Sequence, residues 1–199
     1  MNYLAHASLA EPTDEARLGS ILGDFAKGLE VDQLPEDVQF ALEEHRAIDR
    51  WFDALPEVRA ARDLFPGELR RFSGILIDVF VDHFLVQEWQ LLGPEPIADV
   101  TASLYRSFQT YAHLLPPRLA RTAPSIASLD WLGGYGDVRN MRRALAGIER
   151  RLSRDTNIEE GIEVLESRGD DLRALTLEVF PKTRDWAIQR RAGLGRAPG

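Results

Sequence analysis

One stretch constrains the fold more than any other: Ile75-Leu76-Ile77-Asp78-Val79-Phe80-Val81-Asp82-His83-Phe84-Leu85-Val86, in which only Asp78, Asp82 and His83 are polar. Apolar side chains fall on every side of a helix drawn through it, so other protein must surround it nearly all round. A chain with such a helix needs further helices or sheets to cover it. The rest of the sequence supplies helices, because strand alternation is nearly absent and apolar residues recur at helical spacing.

Thr13 or Asp14 can cap a helix carrying Leu18, Ile21, Leu22 and Phe25 that stops at Gly28. Pro35 suits the first turn of a second, with Val38, Ala41, Leu42, His45, Ile48, Asp49 and Phe52 on one stripe. Pro56 opens a shorter helix through Leu64, and Pro66 starts a long one to about Leu92. Further stripes run from Ile97 to Leu115, from Val138 to Leu152, and from Ile158 to Gln189, the last broken near Gly169 or Pro181. The prediction is an all-α fold: a single compact multi-helix domain over residues 1–190, with 191–199 as a disordered tail. The loop Leu132-Gly133-Gly134-Tyr135-Gly136 follows no strand and reads as a connector, not a nucleotide loop.

Composition narrows the chemistry. The 199 residues are 44% hydrophobic and 28% charged, as in an ordinary globular protein. A net charge of -8 argues against a nucleic-acid partner, since polyanion binding needs a basic field. There is no cysteine, so any metal must be held by nitrogen and oxygen. The start lacks a basic residue followed by a long apolar run, and no segment approaches the ~18 apolar residues of a membrane span. A cytoplasmic location without membrane contact is expected.

His45 and Asp49 lie four residues apart and share the apolar face of their helix. With Asp78, Asp82 and His83 they place several ionisable groups in an apolar interior, where an unpaired carboxylate costs several kcal/mol. Nearby cations are few: Arg46, Arg50, Arg70 and Arg71. A divalent ion shared by Asp49, Asp78, Asp82, His45 and His83 satisfies them most economically, with Mn or Mg favoured by the carboxylates and Fe or Zn also compatible. Asp24 and His6 belong to the same set. The alternative is a network of buried salt bridges. None of the histidines has a Glu three residues earlier, so the di-iron bundle pattern is missing and metal-assisted phosphoester hydrolysis fits better.

These residues resemble the acyl carrier protein phosphodiesterase family, divergent relatives of the HD-domain phosphohydrolases. The resemblance rests on Met1-Asn2-Tyr3-Leu4-Ala5-His6, Leu22-Gly23-Asp24-Phe25 with Lys27-Gly28, His45-Arg46-x-Ile48-Asp49, Leu55-Pro56-Glu57-Val58-Arg59 and Asp78-x-x-x-Asp82-His83-Phe84-Leu85. It implies an HD-domain-like helical bundle and Mn-dependent release of 4'-phosphopantetheine from the serine of holo acyl carrier protein. The metal set is then drawn from His6, Asp24, His45, Asp49, Asp82 and His83. Asp49 or Asp78 handles the proton of the attacking water, and Arg46 or Arg50 offsets phosphoryl charge. Arg59, Arg62, Arg70 and Arg71 offer a basic surface for an acidic carrier protein. The alternatives are a phosphohydrolase of nucleotides or other small phosphodiesters, and a non-catalytic helical interaction protein.

Overall fold

The computed structural model describes residues 1–25, 29–150, 152 and 156–196. Its described residues form ten α-helices and no strand: α1 Tyr3–Leu9, α2 Asp14–Leu22, α3 Glu36–Ala54, α4 Pro56–Ala61, α5 Ser73–Gln87, α6 Trp89–Leu92, α7 Ile97–Thr110, α8 Pro117–Ser128, α9 Val138–Glu149 and α10 Gly161–Gly193. The starts follow local chemistry. Thr13 Oγ1 accepts the Ala16 N–H at 3.1 Å to cap α2, with Asp14 and Glu15 in its first turn. Pro56 occupies the first turn of α4, where no N–H is needed.

The apolar stretch becomes α5, buried from Val79 through Leu85 and enclosed by α1, α10 and the short turn Gly133–Gly136. The connector expected at 132–136 is therefore a wall of the core, with Tyr135 buried. No helix among the described residues is long and apolar enough to cross a membrane.

Several expected boundaries move. The predicted long helix from Pro66 divides into a 3-10 turn, Gly67–Phe72, then α5 and α6. The break predicted near Gly169 or Pro181 falls at Arg168, whose φ of -126° and ψ of 23° interrupt α10, whereas Pro181 is carried inside the helix. α1 and α8 were not expected. α1 buries Leu4 through Leu9, so it shows no polar face and no period, while the flanking Pro116 and internal Pro124 disguise α8. The expected Gly28 stop lies outside the described residues.

Part of the expected tail, residues 191–196, is described, and α10 runs on through Gly193. Arg191 is buried in α10, donating to the Leu9 carbonyl at 2.8 Å and to Glu44 of α3 at 3.0 Å. These bonds fasten the end of α10 to α1 and α3.

Candidate metal centre

Two glycines one turn apart set how closely α2 approaches α3. A Cβ at Gly19 would stand 2.4 Å from the Val38 carbonyl oxygen, and one at Gly23 would stand 2.0 Å from Cδ2 of His45. With neither present, the imidazole of His45 lies against the 3-10 turn Gly23–Phe25, which carries Asp24. Asp49 follows one turn further along α3, and α1 brings His6 across to meet them.

His6 Nε2 lies 2.9 Å from Asp49 Oδ1, and His45 Nε2 lies 3.2 Å from Asp49 Oδ2. The two imidazole centroids are 4.0 Å apart. Donor atoms of the three residues all fall within 4.8 Å of one another, a group able to hold a metal ion. His45 Nδ1 is 2.6 Å from the Ser20 carbonyl oxygen, to which it donates. With Nδ1 so engaged, Nε2 is the nitrogen turned toward the Asp49 carboxylate, where a proton or a shared metal ion bridges the two. Buried His6 Nδ1 has no hydrogen-bond partner among the described residues. The α-amino group at Met1 lies 3.0 Å from Asp49 and 3.1 Å from Asp78, so a positive charge already sits between two carboxylates. Nitrogen and oxygen donors and an orphaned imidazole nitrogen fit a divalent ion.

The electrostatics agree with the geometry. Burial opposes the charge of Asp49, but hydrogen bonds from His45 and His6 outweigh it and hold the carboxyl well below the usual range. His6 is pushed down to about 3 by burial and by neighbouring His45. Burial also disfavours charge on His45, yet Asp49 and then Asp24 overcome this and raise it. Asp24 reaches solvent but is crowded enough by protein to be pushed upward, with His45 opposing. Burial raises Asp78 to about 6 against the pull of the α-amino group.

Asp82 and His83, expected beside these residues, have other partners. The fully buried Asp82 accepts the N–H groups of Leu4 at 2.8 Å and Ala5 at 2.9 Å, capping α1 from a neighbouring helix. Burial pushes it up to about 7 against those two bonds. His83 donates from Nδ1 to the Tyr135 carbonyl at 2.7 Å, and its Nε2 meets the Gln87 amide nitrogen at 3.0 Å. Both of its nitrogens are thus engaged away from Asp49.

The arginines divide similarly. Arg46 and Arg50 face solvent from α3. Arg59 donates to the Asp53 carbonyl, and Arg62 pairs with the Asp53 carboxylate at 3.3 Å. Arg70 pairs with Asp63, and Arg71 with Glu68 at 3.0 Å. Sequence reasoning missed Arg118, which lines a cavity of about 290 Å³ together with Met1, Asp24 and Asp78. It named Gly23 only within the motif Leu22-Gly23-Asp24-Phe25, without its role in making room for His45.

A helical bundle that gathers two histidines and a carboxylate beside an acid-lined cavity belongs to the class of all-α proteins with a candidate metal centre. Residues 1–183 match the family described as acyl carrier protein phosphodiesterase, and this chain belongs to that family. It is similar to the acyl carrier protein phosphodiesterase of Escherichia coli O45:K1, 32% identical over 191 residues that cover 96% of this chain and 99% of that protein. The protein of the same name from Escherichia coli strain SMS-3-5 is 32% identical over 183 residues, covering 92% of this chain and 95% of that protein. No solved structure matches this chain.

Proposed function

We propose that this chain hydrolyses the phosphodiester joining 4'-phosphopantetheine to a serine of holo acyl carrier protein, a cytoplasmic reaction dependent on Mn²⁺. The convergence of His6, His45 and Asp49 beside the cavity carries this reading, and membership of the family supplies the substrate. His6, His45 and Asp49, with Asp24 near, would hold a divalent ion, which when bound would offer Lewis-acid charge to phosphoryl oxygens.

The chain's own groups handle the proton. Asp49 is occupied by both imidazoles, whereas Asp78 meets the α-amino group at 3.1 Å and lines the cavity with a carboxyl raised to about 6. A base of that strength suits proton removal near neutral pH. Asp78 takes a proton from water as the water oxygen bonds to phosphorus. The bond from phosphorus to the serine oxygen breaks, the serine oxygen takes a proton from solvent, and Asp78 returns its own proton to solvent. The products are the apo protein and 4'-phosphopantetheine.

The test incubates holo carrier protein with enzyme and Mn²⁺ and follows the carrier mass. Loss of the phosphopantetheine mass is the expected result, blocked by chelation and by Asp49→Ala. An unchanged carrier together with cleavage of small phosphodiesters would move the substrate assignment to those compounds. An unchanged mass with no cleavage of either would end the hydrolase reading.

A further inference from the structure

We infer that Arg118 grips the phosphoryl group of the substrate, and that the cavity it lines receives the pantetheine arm. This rests on the hydrolase reading above and assigns the residues that select its substrate. The cavity's volume of about 290 Å³ is at the small end of ligand sites, which start near 300 Å³. Its lining has two characters. Asn2, Asp24, Asp78 and Arg118 are polar, while Ile75, Val79, Ile148 and Leu152 supply an apolar wall. A ligand with an anionic head and a long, largely uncharged arm matches that division.

Among the described residues, Arg118 is held by stacking, with no hydrogen bond from its guanidinium. Its guanidinium carbon lies 4.9 Å from the centre of the Phe25 ring, in the same 3-10 turn as Asp24. Stacking on an aromatic face fixes the plane of the group and leaves its N–H fork free for an oxyanion. No ion pair with a carboxylate is formed by it among the described residues, although its charge acts on Asp24, which lines the same cavity with Asp78. Arg62, Arg70 and Arg71, by contrast, each pair with an acid. A phosphodiester entering beside two carboxylates meets repulsion unless cations offset it. Arg118 adds its charge, from the first turn of α8, to that of the α-amino group beside Asp78, separately from any ion at His6, His45 and Asp49. Two parallel N–H bonds to phosphoryl oxygens are the usual mode for arginine.

The experiment compares binding of 4'-phosphopantetheine and pantetheine by calorimetry with Mn²⁺ present, in the wild type, Arg118→Gln and Arg118→Lys. Charge-assisted bonds to phosphate imply that Arg118→Gln lowers the preference for the phosphorylated ligand by about 10- to 100-fold. Pantetheine affinity and metal stoichiometry should not change, and Arg118→Lys should recover part of the preference. Because the glutamine stem still covers Phe25, both variants are expected to fold, and the thermal midpoint checks this. A full preference retained by both variants overturns the assignment while leaving the hydrolase reading intact. A wild type that neither binds 4'-phosphopantetheine nor cleaves holo carrier protein ends both.

Discussion

At Gly23 the imidazole of His45 occupies the space where a side chain would project, with Nε2 2.2 Å and Cδ2 2.0 Å from an added Cβ. Neither backbone can yield easily, because Gly19 holds the same two helices together one turn earlier. The ring itself would have to move, and its Nε2 is the atom facing Asp49. Gly23→Ala should therefore lower kcat/KM for holo carrier protein by about 100-fold, the scale of a misplacement near 1 Å. Overpacking of this kind costs about 1–3 kcal/mol, so the variant should still fold, with a reduced thermal midpoint. Near-normal turnover would show that His45 has another arrangement in the working enzyme. His45 and Asp49 were legible in the sequence because helical spacing alone puts them on one apolar face. The spacing could not show what filled the room beside them. It marked Asp82 and His83 as anomalous by the same criterion, since burial of a polar group is visible in a pattern but the identity of its partner is not.

α1 shows how an element escapes a sequence pattern and still organises the site. Seven residues with nearly every side chain buried give no amphipathic signal, and the helix is too short to be stable alone. Its first N–H groups are satisfied by Asp82 from α5, and its last turn receives Arg191 from α10. The position of His6 thus depends on residues far along the chain. Removing the Asp82 carboxylate leaves two buried amides without acceptors, each costing about 1–3 kcal/mol. Asp82→Ala should lose about 2–5 kcal/mol of stability in denaturant unfolding. Asp82→Asn, which keeps one acceptor oxygen, should lose less. Both folded variants should bind the divalent ion with wild-type stoichiometry, measured on dialysed protein. Lost stoichiometry at unchanged stability would instead make Asp82 a metal ligand, as the sequence alone suggested. The longer elements were easier to read. α2, α3, α5, α7, α9 and α10 all fall on predicted stripes, although Phe25, Leu115, Leu152 and Ile158 lie beyond the helix ends, because each buries one face or, for α5, nearly all of itself.

For the whole molecule, the difficulty lies in how a protein of net charge -8 engages an acidic protein substrate. Long-range repulsion slows encounter, so docking needs a local surface of opposite sign. Arg59, Arg62, Arg70 and Arg71 lie between the end of α3 and the start of α5, but the structure gives most of them acidic partners of their own. Those pairs are exposed to solvent, where such contacts contribute about 0–1 kcal/mol. Exchanging Asp63 and Glu68 for the carboxylates of a docking protein therefore costs little, and the arginines remain available. Reversing both charges in Arg70→Glu/Arg71→Glu adds like charges at the docking surface and should raise KM for holo carrier protein about tenfold, equivalent to about 1.4 kcal/mol. Since neither residue touches the cavity or the metal centre, kcat should hold, and so should affinity for free 4'-phosphopantetheine. Rising salt should narrow the gap between variant and wild type as the field is screened. Equal KM values at low salt would place the carrier protein on another face of the bundle.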